Sequence, residues 1–331
     1  MKVESEINEK SEVFVEKLIL DTVAGKQISQ EEALSLFDFD IEDLFFAATK
    51  IRKKFKGNKV KICSIINAKS GQCSEDCKFC AQSVHHKTAV NVYPLVSNEK
   101  IEEVSNKALE NAGCFGIVSS GNNLTDEEID RLCEVLKKHK KSDHFGASIG
   151  HLSDVSLKKL KAAGLKKLHH NLETSESYFK NICTTHTYAQ RKDTIIRAKA
   201  LGYEICSGGL FGIGEKLKDR VELAFTLKEL GVNSVPMNFL MPVKGTAFEG
   251  AKPISPTEIL KTIAVFRMVL QTPDIMICGG REINLRDLQS MIFFAGASGT
   301  MSGGYLTTWG RDAAADKQMI KDLDLEIDPH R

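Results

Sequence analysis

The sequence has no long apolar run and no excess of charge of one sign. Its longest uncharged stretch, Leu288–Gly310, contains five glycines together with serine, threonine and glutamine, so it is too polar for a membrane span. The 45 basic and 44 acidic residues give a net charge of +1, which predicts no electrostatic attraction to nucleic acid. We therefore expect neither a membrane protein nor a nucleic-acid-binding protein.

An apolar signal segment is also missing from the amino-terminal sequence MKVESEINEK, so we expect a cytoplasmic protein. Nine cysteines without an export signal indicate a reducing compartment, where cysteines are thiolates available to metals rather than partners in disulfides. No linker of Pro, Gly or Ser follows the first 58 residues, which predicts a lead-in rather than a separate domain. These observations point to metal chemistry on cysteine.

Three cysteines, Cys73, Cys77 and Cys80, have the most informative spacing, in the order C-x3-C-x2-C. A structural zinc site uses four protein ligands, commonly in C-x2-C pairs, whereas this triplet is unequal and has only three. Three thiolates suit a [4Fe–4S] cluster in which one iron remains open to another ligand. A zinc or disulfide knot and an unrelated iron–sulfur site are the alternatives.

The spacing of apolar residues predicts an α/β fold. Residues 1–58 have helical periodicity, in the segments Glu4–Ala24, from Ser29 onward, and Asp40–Lys56, whereas residues 59–331 alternate short apolar runs with amphipathic helices. This pattern fits a (β/α)8 TIM-type barrel with a C-terminal tail and an N-terminal helical extension better than an open Rossmann sheet. The eight candidate strands are Val60–Ala68, Cys114–Ser119, His144–Ile149, Lys166–Leu172, Tyr203–Leu210, Ser234–Leu240, Ile275–Cys278 and Ala297–Ser302.

The cysteine triplet follows the first of these strands, at the barrel end where active sites lie. The strands also carry polar residues where a plain barrel would have Val or Leu: Asn67, Lys69, His169, Asn171, Glu173, Cys206 and Asn238. Buried polar groups need partners, and a bound polar ligand is one way to supply them. Solvated strand ends, or side chains that satisfy one another, are the alternative.

With Phe79 before its last cysteine, the triplet resembles the signature of the radical S-adenosylmethionine (radical SAM) superfamily. Six collinear blocks together resemble the biotin synthase family within it. They are Cys73–Ser83, Asn171–Ser175, Thr184–Arg191, Cys206-Ser-Gly-Gly, Ser234-Val-Pro-Met-Asn238 and Gly279-Gly-Arg-Glu282. The match extends over about residues 60 to 310.

This resemblance implies an enzyme, a radical SAM sulfurtransferase that inserts sulfur into dethiobiotin to form the thiophane ring of biotin. It implies a 5′-deoxyadenosyl radical made from SAM at the [4Fe–4S] cluster, and an auxiliary iron–sulfur cluster as sulfur donor. It also implies flavodoxin or ferredoxin as electron donor and a homodimer. The alternatives are a sister enzyme, such as a hydrogenase maturase or a methylornithine synthase, and a non-catalytic iron–sulfur carrier.

The resemblance also assigns residues to the cofactor and the substrate. Asn171 and Glu173 correspond to contacts with the SAM ribose, and Arg191 to a contact with the SAM carboxylate. The segment Gly208–Glu215, with Gly208 and Gly212, corresponds to the strand against adenine, although a tight turn and helix cap would also explain it. For the substrate, Asn171 and Asn238 correspond to ureido contacts, and Lys69, Thr307 and Thr308 to contacts with the carboxylate tail. A barrel salt bridge is the alternative for Lys69.

The auxiliary cluster is where the sequence departs from the family. The best-known members hold a [2Fe–2S] cluster with three cysteines and one arginine. Cys206 and Arg281 remain at two of these positions, whereas the other two fall on Val118 and Gly146, which cannot ligate iron. We therefore predict a relocated cluster on Cys63, Cys206 and Cys278 with Arg281 beside it. It is either a [2Fe–2S] cluster or the larger four-iron cluster of a branch associated with anaerobes.

Three further cysteines receive no primary role. Cys133 lies in a predicted helix and is expected to be packing, and Cys114 begins a strand at the end away from the chemistry. Cys183 precedes a pair of threonines in a loop and is a fallback ligand of the auxiliary cluster. Ordinary buried cysteines are the alternative to the relocated cluster.

Overall fold

The computed structural model describes residues 14, 16–22, 24–139, 142–307 and 310–328. Parallel strands pair in the order β1-β2-β3-β4-β5-β7-β8-β9, and β9 pairs with β1, which closes the barrel. A short strand, β6, continues the line of β5 and also pairs with β7. The predicted (β/α)8 barrel is confirmed. The strands are β1 Lys59–Lys69, β2 Cys114–Ser119, β3 Phe145–Ser148, β4 Lys167–His169, β5 Glu204–Cys206, β6 Gly209–Phe211, β7 Ser234–Phe239, β8 Asp274–Ile277, β9 Gly299–Met301 and β10 Glu326–Ile327.

Helices return the chain from one strand to the next, and most begin at a hydroxyl side chain. Ser97, Thr125, Ser153, Thr187 and Ser255 each accept a hydrogen bond from a backbone N–H in the first turn of the following helix. The helices are α1 Gln30–Ser35, α2 Ile41–Lys56, α3 Asn98–Ala108, α4 Asp126–Lys138, α5 Asp154–Ala162, α6 Glu176–Phe179, α7 Tyr188–Ala200, α8 Leu217–Glu229, α9 Pro256–Leu270, α10 Arg281–Leu285 and α11 Ala313–Asp322. A 3-10 helix, Arg286–Ile292, follows α10.

The amino-terminal helices pack on the outside of the barrel. Of the helix predicted at Glu4–Ala24, residues 16–22 are helical, and its beginning lies outside the described residues. Helix α2 buries Leu44, Ala48 and Ile51 on one face. Lys261 of α9 donates hydrogen bonds to the carbonyl oxygens of Phe37 and Phe39, which joins this region to the barrel. Within the described residues, no helix is both long and apolar enough to cross a membrane.

Candidate functional site

An upper chamber of about 300 Å³ opens at the carboxyl ends of the strands. It brings together side chains from distant parts of the sequence, as the barrel topology predicts. Its polar lining comprises Cys80, Gln82, Ser148, His169, Asn171, Glu173, Asn238, Tyr305 and Thr307, among apolar residues such as Phe79, Pro236 and Met301. The upper chamber is therefore a mainly apolar pocket with a few convergent polar groups, the usual character of a ligand site.

The cysteine loop, residues 73–80, leaves β1 through a sharp turn. Gly71 and Gln72 both have left-handed backbone angles, with φ of 76° and 49°. The Cys73 N–H then donates to the Gln82 carbonyl at 3.0 Å, and the Cys80 N–H donates to the Cys77 carbonyl at 2.9 Å. Cys73 and Cys77 are buried, whereas Cys80 faces the upper chamber. The three cysteines thus lie on one compact loop beside the chamber.

A second loop holds the cysteine loop through carboxylates. Asp76 accepts hydrogen bonds from the Thr184 N–H at 2.8 Å and the Thr185 N–H at 3.2 Å, and Glu75 contacts His186. Burial raises the pKa of Asp76, but these hydrogen bonds outweigh it, and the pKa lies well below the usual range. The carboxylate is thus held ionised. The contacts between these two loops are a physical reason why the blocks Cys73–Ser83 and Thr184–Arg191 occur together in the sequence.

Cys183 lies at the contact between these two loops and not in the barrel interior. Its Sγ lies 3.8 Å from Cys77 Sγ and 3.3 Å from His186 Nδ1. The hydrogen bond shared with Cys77 lowers the pKa of Cys183 and raises that of Cys77. The fallback role of Cys183 in the auxiliary cluster is therefore wrong, because its sulfur lies against the cysteine loop.

The residues assigned to SAM form one network at the wall of the upper chamber. The Asn171 Oδ1 accepts from the Gly208 N–H at 3.1 Å, and the Arg191 Nη1 donates to the Asn171 carbonyl at 2.9 Å. The Asn171 Nδ2 donates to Glu173 at 3.4 Å. Burial raises the pKa of Glu173, and this residue has a left-handed φ of 70°. A half-buried carboxylate with a raised pKa, on strained backbone, is a feature typical of functional sites.

Two glycines of the segment Gly208–Glu215 are required for different local reasons. A Cβ on Gly208 would lie 2.0 Å from the Pro236 carbonyl oxygen, so no side chain fits there. Gly212 has a φ of 87°, and its N–H donates to the Glu215 carboxylate at 2.9 Å. Neither glycine lines the upper chamber, whereas Leu210 between them does. The tight-turn alternative thus explains Gly212, and close backbone approach explains Gly208.

Gly208→Ala is expected to destabilise the protein, because the added methyl group would clash with backbone that cannot move away. Overpacking of this kind costs roughly 1–3 kcal/mol. Urea unfolding followed by circular dichroism would measure it. Gly250→Ala is the matched control, since a Cβ there would meet nothing within 4 Å. Equal unfolding midpoints for the two variants would contradict the prediction.

The residues assigned to the substrate are not all at the chamber. Asn238 lines it, while its amide accepts from the Gly279 N–H at 3.0 Å and donates to the Gly209 carbonyl at 3.3 Å. Thr307 lies at the chamber rim, and Thr308 lies outside the described residues. Lys69 instead forms an ion pair with Glu128 at 2.7 Å and does not line the chamber. For Lys69 the structure matches the salt-bridge alternative.

A lower chamber of about 140 Å³ lies inside the barrel, and seven residues line both chambers, including His169, Pro236 and Cys278. Four cysteines line it, Cys63, Cys114, Cys206 and Cys278, and we refer to them as the cysteine ring. Val118 and Gly146, where the family pattern would have ligands, line the same space. The space is therefore where the sequence predicted an auxiliary cluster, but with a different set of cysteines.

Cys114 is the residue that sequence reasoning missed. Cys63 pairs in register with Cys114 across β1 and β2, with their Cα atoms 4.8 Å apart, and a disulfide joins them. The expectation that this pair would be free thiolates is thus wrong for the structure. Cys114 begins β2, but β1 starts four residues before Cys63, so the two residues lie at the same level of the barrel. Strand stagger therefore places Cys114 in the chamber.

The other two members of the cysteine ring, Cys206 and Cys278, are free thiols inside the barrel. Burial raises the pKa of Cys206 to about 11 and raises the pKa of Cys278 further. Both are therefore protonated at neutral pH and inert by themselves. Metal ions stabilise thiolates, so this donor set suits a metal cluster better than it suits a nucleophile.

Arg281 is held by a buried carboxylate. It is fully buried, and its Nη2 donates to both carboxylate oxygens of Asp316 at 2.9 Å. It lines neither chamber. Gly280, with a φ of 83°, reverses the chain between β8 and α10, so Cys278 faces the barrel interior whereas Arg281 faces Asp316. The charge of Arg281 nevertheless acts to lower the pKa of the Cys278 thiol, and its Nε and Nη1 have no hydrogen-bond partner among the described residues. Its position next to the auxiliary cluster therefore stays a prediction.

The Arg281–Asp316 pair is expected to be structural. Asp316→Ala would leave a buried guanidinium without its partner, at a cost of about 3–5 kcal/mol in the free energy of unfolding. An Arg281→Met/Asp316→Leu double variant should recover most of this loss, while exposed Asp322→Ala should change little. Urea unfolding measures each variant. A folded double variant that had lost all turnover would instead indicate a catalytic role for Arg281.

Comparison with known proteins agrees with this geometry. Residues 68–227 match the model of the radical SAM superfamily, and residues 236–326 match the Biotin and Thiamin Synthesis associated domain. The crystal structure of a methylornithine synthase is similar in fold, with a TM-score of 0.82 at 20% identity over 94% of this chain and 97% of that chain. A hydrogenase maturase from Carboxydothermus hydrogenoformans has a TM-score of 0.78 at 18% identity over 98% and 82%. Barrel and cysteine loop define a radical SAM enzyme.

The sequence relatives narrow this class to one family. The biotin synthase of Endomicrobium trichonymphae is 68% identical over 316 residues, which cover 96% of this chain and 99% of the relative. The biotin synthase of Geobacter metallireducens is 50% identical, over 92% of this chain and 95% of the relative. The chain belongs to the biotin synthase family. The resemblance inferred from six sequence blocks is confirmed.

Proposed function

We propose that this chain is a radical SAM biotin synthase that inserts sulfur into dethiobiotin. The observation that carries the proposal is the pair of stacked chambers with a shared wall. A substrate in the upper chamber would lie between the cysteine loop at its rim and the cysteine ring beneath it. Sulfur insertion requires this order, because the radical source and the sulfur source must both reach the same substrate carbon.

Cys73, Cys77 and Cys80 would hold the [4Fe–4S] cluster, with SAM on its open iron. When bound, these groups supply the oxidising radical, and an auxiliary cluster supplies sulfur. The residues orient the ligands and exclude water: Asn171 and Glu173 toward the ribose, Arg191 toward the carboxylate, and Asn238 toward the ureido ring. The apolar lining, with Phe79 and Met301, keeps the chamber dry, which limits side reactions of a radical.

The auxiliary cluster is proposed to lie in the lower chamber on Cys63, Cys114, Cys206 and Cys278. Three thiolates on strands and a fourth directly after β8 fit a four-iron cluster, although a [2Fe–2S] cluster uses the same number of ligands. Cys63 and Cys114 can ligate iron only after their disulfide is reduced. Gly116 and Gly146 contribute no side chain to the chamber, which leaves volume for inorganic sulfur and iron. The Sγ atoms of Cys206 and Cys278 would lose their protons on binding.

Glu173→Gln is expected to weaken SAM binding. A carboxylate that accepts from ribose hydroxyls makes charge-assisted hydrogen bonds, and their loss costs about 1.5–3 kcal/mol, or roughly ten- to hundredfold in Kd. Isothermal titration of the reconstituted, anaerobic protein with SAM measures this. Glu176→Gln is a suitable control, because Glu176 lies in α6 and lines neither chamber. An unchanged affinity of Glu173→Gln for SAM would show that Glu173 does not bind the ribose.

The function is tested by anaerobic turnover of dethiobiotin with SAM and a reduced flavodoxin or ferredoxin, which we propose as electron donors. Biotin measured by mass spectrometry is the expected product.

We also propose a homodimer, and a division of the chain into a helical extension, residues 1–58, and the barrel with its tail, residues 59–331. A sister activity is the second candidate, on the strength of the fold alone. Formation of 5′-deoxyadenosine without biotin in the reconstituted wild type would favour it.

A further inference from the structure

The amino end of the barrel carries charged side chains directly below the cysteine ring. Lys61 on β1, Lys167 on β4, Glu204 on β5 and Asp274 on β8 all line the lower chamber. Lys61 and Glu204 precede Cys63 and Cys206 by two residues, so each pair shares a face of its strand. Barrel interiors are ordinarily filled by Val, Ile and Leu, and buried charge is costly. This layer therefore requires an explanation.

The same side chains also line an open pocket of about 440 Å³ on the outside of the barrel. Lys61, Lys167, Glu204, Asn233 and Asp274 line both spaces. Glu204 and Asn233 are exposed, and Lys167 is half-buried. Polar side chains are thus shared between the outer pocket and the lower chamber at this end of the barrel, which we call the base.

Cations outnumber carboxylates at the base. Asp274 is paired with Lys56 at 2.6 Å and with Lys61 at 3.7 Å, so its charge is already compensated. Beneath it, the buried Arg267 donates only to backbone carbonyls and to Ser298. The exposed Glu204 is the other carboxylate that faces the lower chamber. The field at the base therefore favours an anion.

Lys167 is the cation best placed to bind one. Its ammonium has no hydrogen bond or ion pair with any residue in the part of the chain that the structure describes. Burial and the neighbouring Lys61 both lower its pKa, although Glu204 opposes them. An anion beside Lys167 would offset this repulsion. The outer pocket of about 440 Å³, which Lys167 also lines, has room for an ion of the size of water or slightly larger.

We propose that the base admits hydrosulfide, which binds beside Lys167 and reaches the cysteine ring from the side opposite SAM. This inference rests on the proposed function. Each molecule of biotin removes one sulfur atom, so a second turnover requires a replacement. Hydrosulfide, the anion that dissolved hydrogen sulfide forms near neutral pH, has the charge and size that the base accepts. Entry from below would leave the upper chamber closed to solvent while substrate and SAM are bound.

Exchange of labelled sulfide tests the route without any turnover. In the Cys73→Ala background, which lacks the SAM cluster, all acid-labile sulfide belongs to the auxiliary cluster. The protein is incubated anaerobically with ³⁴S-sulfide, and label in the acid-labile pool is followed by mass spectrometry. Lys167→Met should slow exchange on the order of tenfold, the loss of one charged partner, and Lys167→Glu should slow it further.

Lys166→Met is the matched control, because Lys166 is exposed, lines neither chamber and pairs with Asp143 on the outside. Exchange at the wild-type rate in both Lys167 variants would overturn the proposal. In the enzyme with Cys73 intact, Lys167→Met should slow the turnovers that follow the first one on added sulfide. Wild type with no auxiliary sulfide at all would overturn the proposed function first, and hydrosulfide entry with it.

Bromide supplies a readout that does not depend on any cluster. In crystals soaked with bromide, an anomalous peak beside Lys167 is expected in wild type and in Lys166→Met, and it should vanish in Lys167→Met. No peak at the base of the wild-type protein would contradict the anion site. A peak in wild type together with unchanged sulfide exchange in Lys167→Met would mean an adventitious ion only, and hydrosulfide entry at the base would be rejected.

Discussion

Cys80→Ala is expected to abolish 5′-deoxyadenosine and biotin formation, the largest effect of any substitution considered. Cys80 is the member of the cysteine loop that faces the upper chamber. Two remaining thiolates cannot hold a [4Fe–4S] cluster with one open iron, so bound iron should fall from about eight atoms to about four. Assays of 5′-deoxyadenosine by liquid chromatography, beside iron analysis, measure the change.

Cys133→Ala is the control for this substitution. Cys133 is buried, whereas Cys80 is half-buried, and Cys133 lies in α4 on the outside of the barrel and faces neither chamber. It should keep its iron and its activity, with only a packing loss in stability. If Cys80→Ala continued to cleave SAM at the wild-type rate, the cysteine loop would not be the radical-generating site.

Cys278→Ala is expected to abolish biotin formation and to leave the cleavage of SAM intact. Cys278 lines both chambers and is the member of the cysteine ring nearest to the substrate position. Its loss should remove or distort the sulfur source while the cysteine loop remains intact. Biotin formation should then fall to background while 5′-deoxyadenosine continues to form in the presence of dethiobiotin.

The ratio of 5′-deoxyadenosine to biotin is therefore the informative quantity for Cys278→Ala. A small drop in both products, in a constant ratio, would indicate only a local packing defect, since replacing a buried cysteine with alanine leaves a cavity. If Cys278→Ala formed 5′-deoxyadenosine and biotin in the wild-type ratio and at wild-type rates, Cys278 would not be a ligand of the cluster. Cys133→Ala again serves as the reference for a buried cysteine without a chemical role.

Local patterns in the sequence were enough to predict the barrel and the cysteine loop. Strands and helices follow from apolar spacing, and a cluster loop is defined by three cysteines within eight residues. Both features depend on neighbours in the chain. The collinear blocks added the SAM residues, and the structure brings Asn171, Glu173 and Arg191 into one hydrogen-bond network.

Features that depend on how distant strands align could not be predicted in the same way. The role of Cys114 follows from the stagger between β1 and β2, which periodicity within one strand does not report. The orientation of Arg281 follows from one left-handed glycine and from Asp316, which is 35 residues away. Lys69 is held by Glu128, another long-range partner. The charged base is visible only when the first residues of several strands are seen together.

Iron content with Mössbauer spectroscopy on anaerobically reconstituted protein tests the central claim most directly. Wild type, Cys73→Ala and the Cys73→Ala/Cys206→Ala/Cys278→Ala triple variant are compared. We predict about eight irons in the wild type, about four in Cys73→Ala, and none in the triple variant, because the two remaining thiolates of the cysteine ring cannot hold a cluster. An iron-free Cys73→Ala protein, or a triple variant that retained its iron, would contradict a second cluster in the lower chamber.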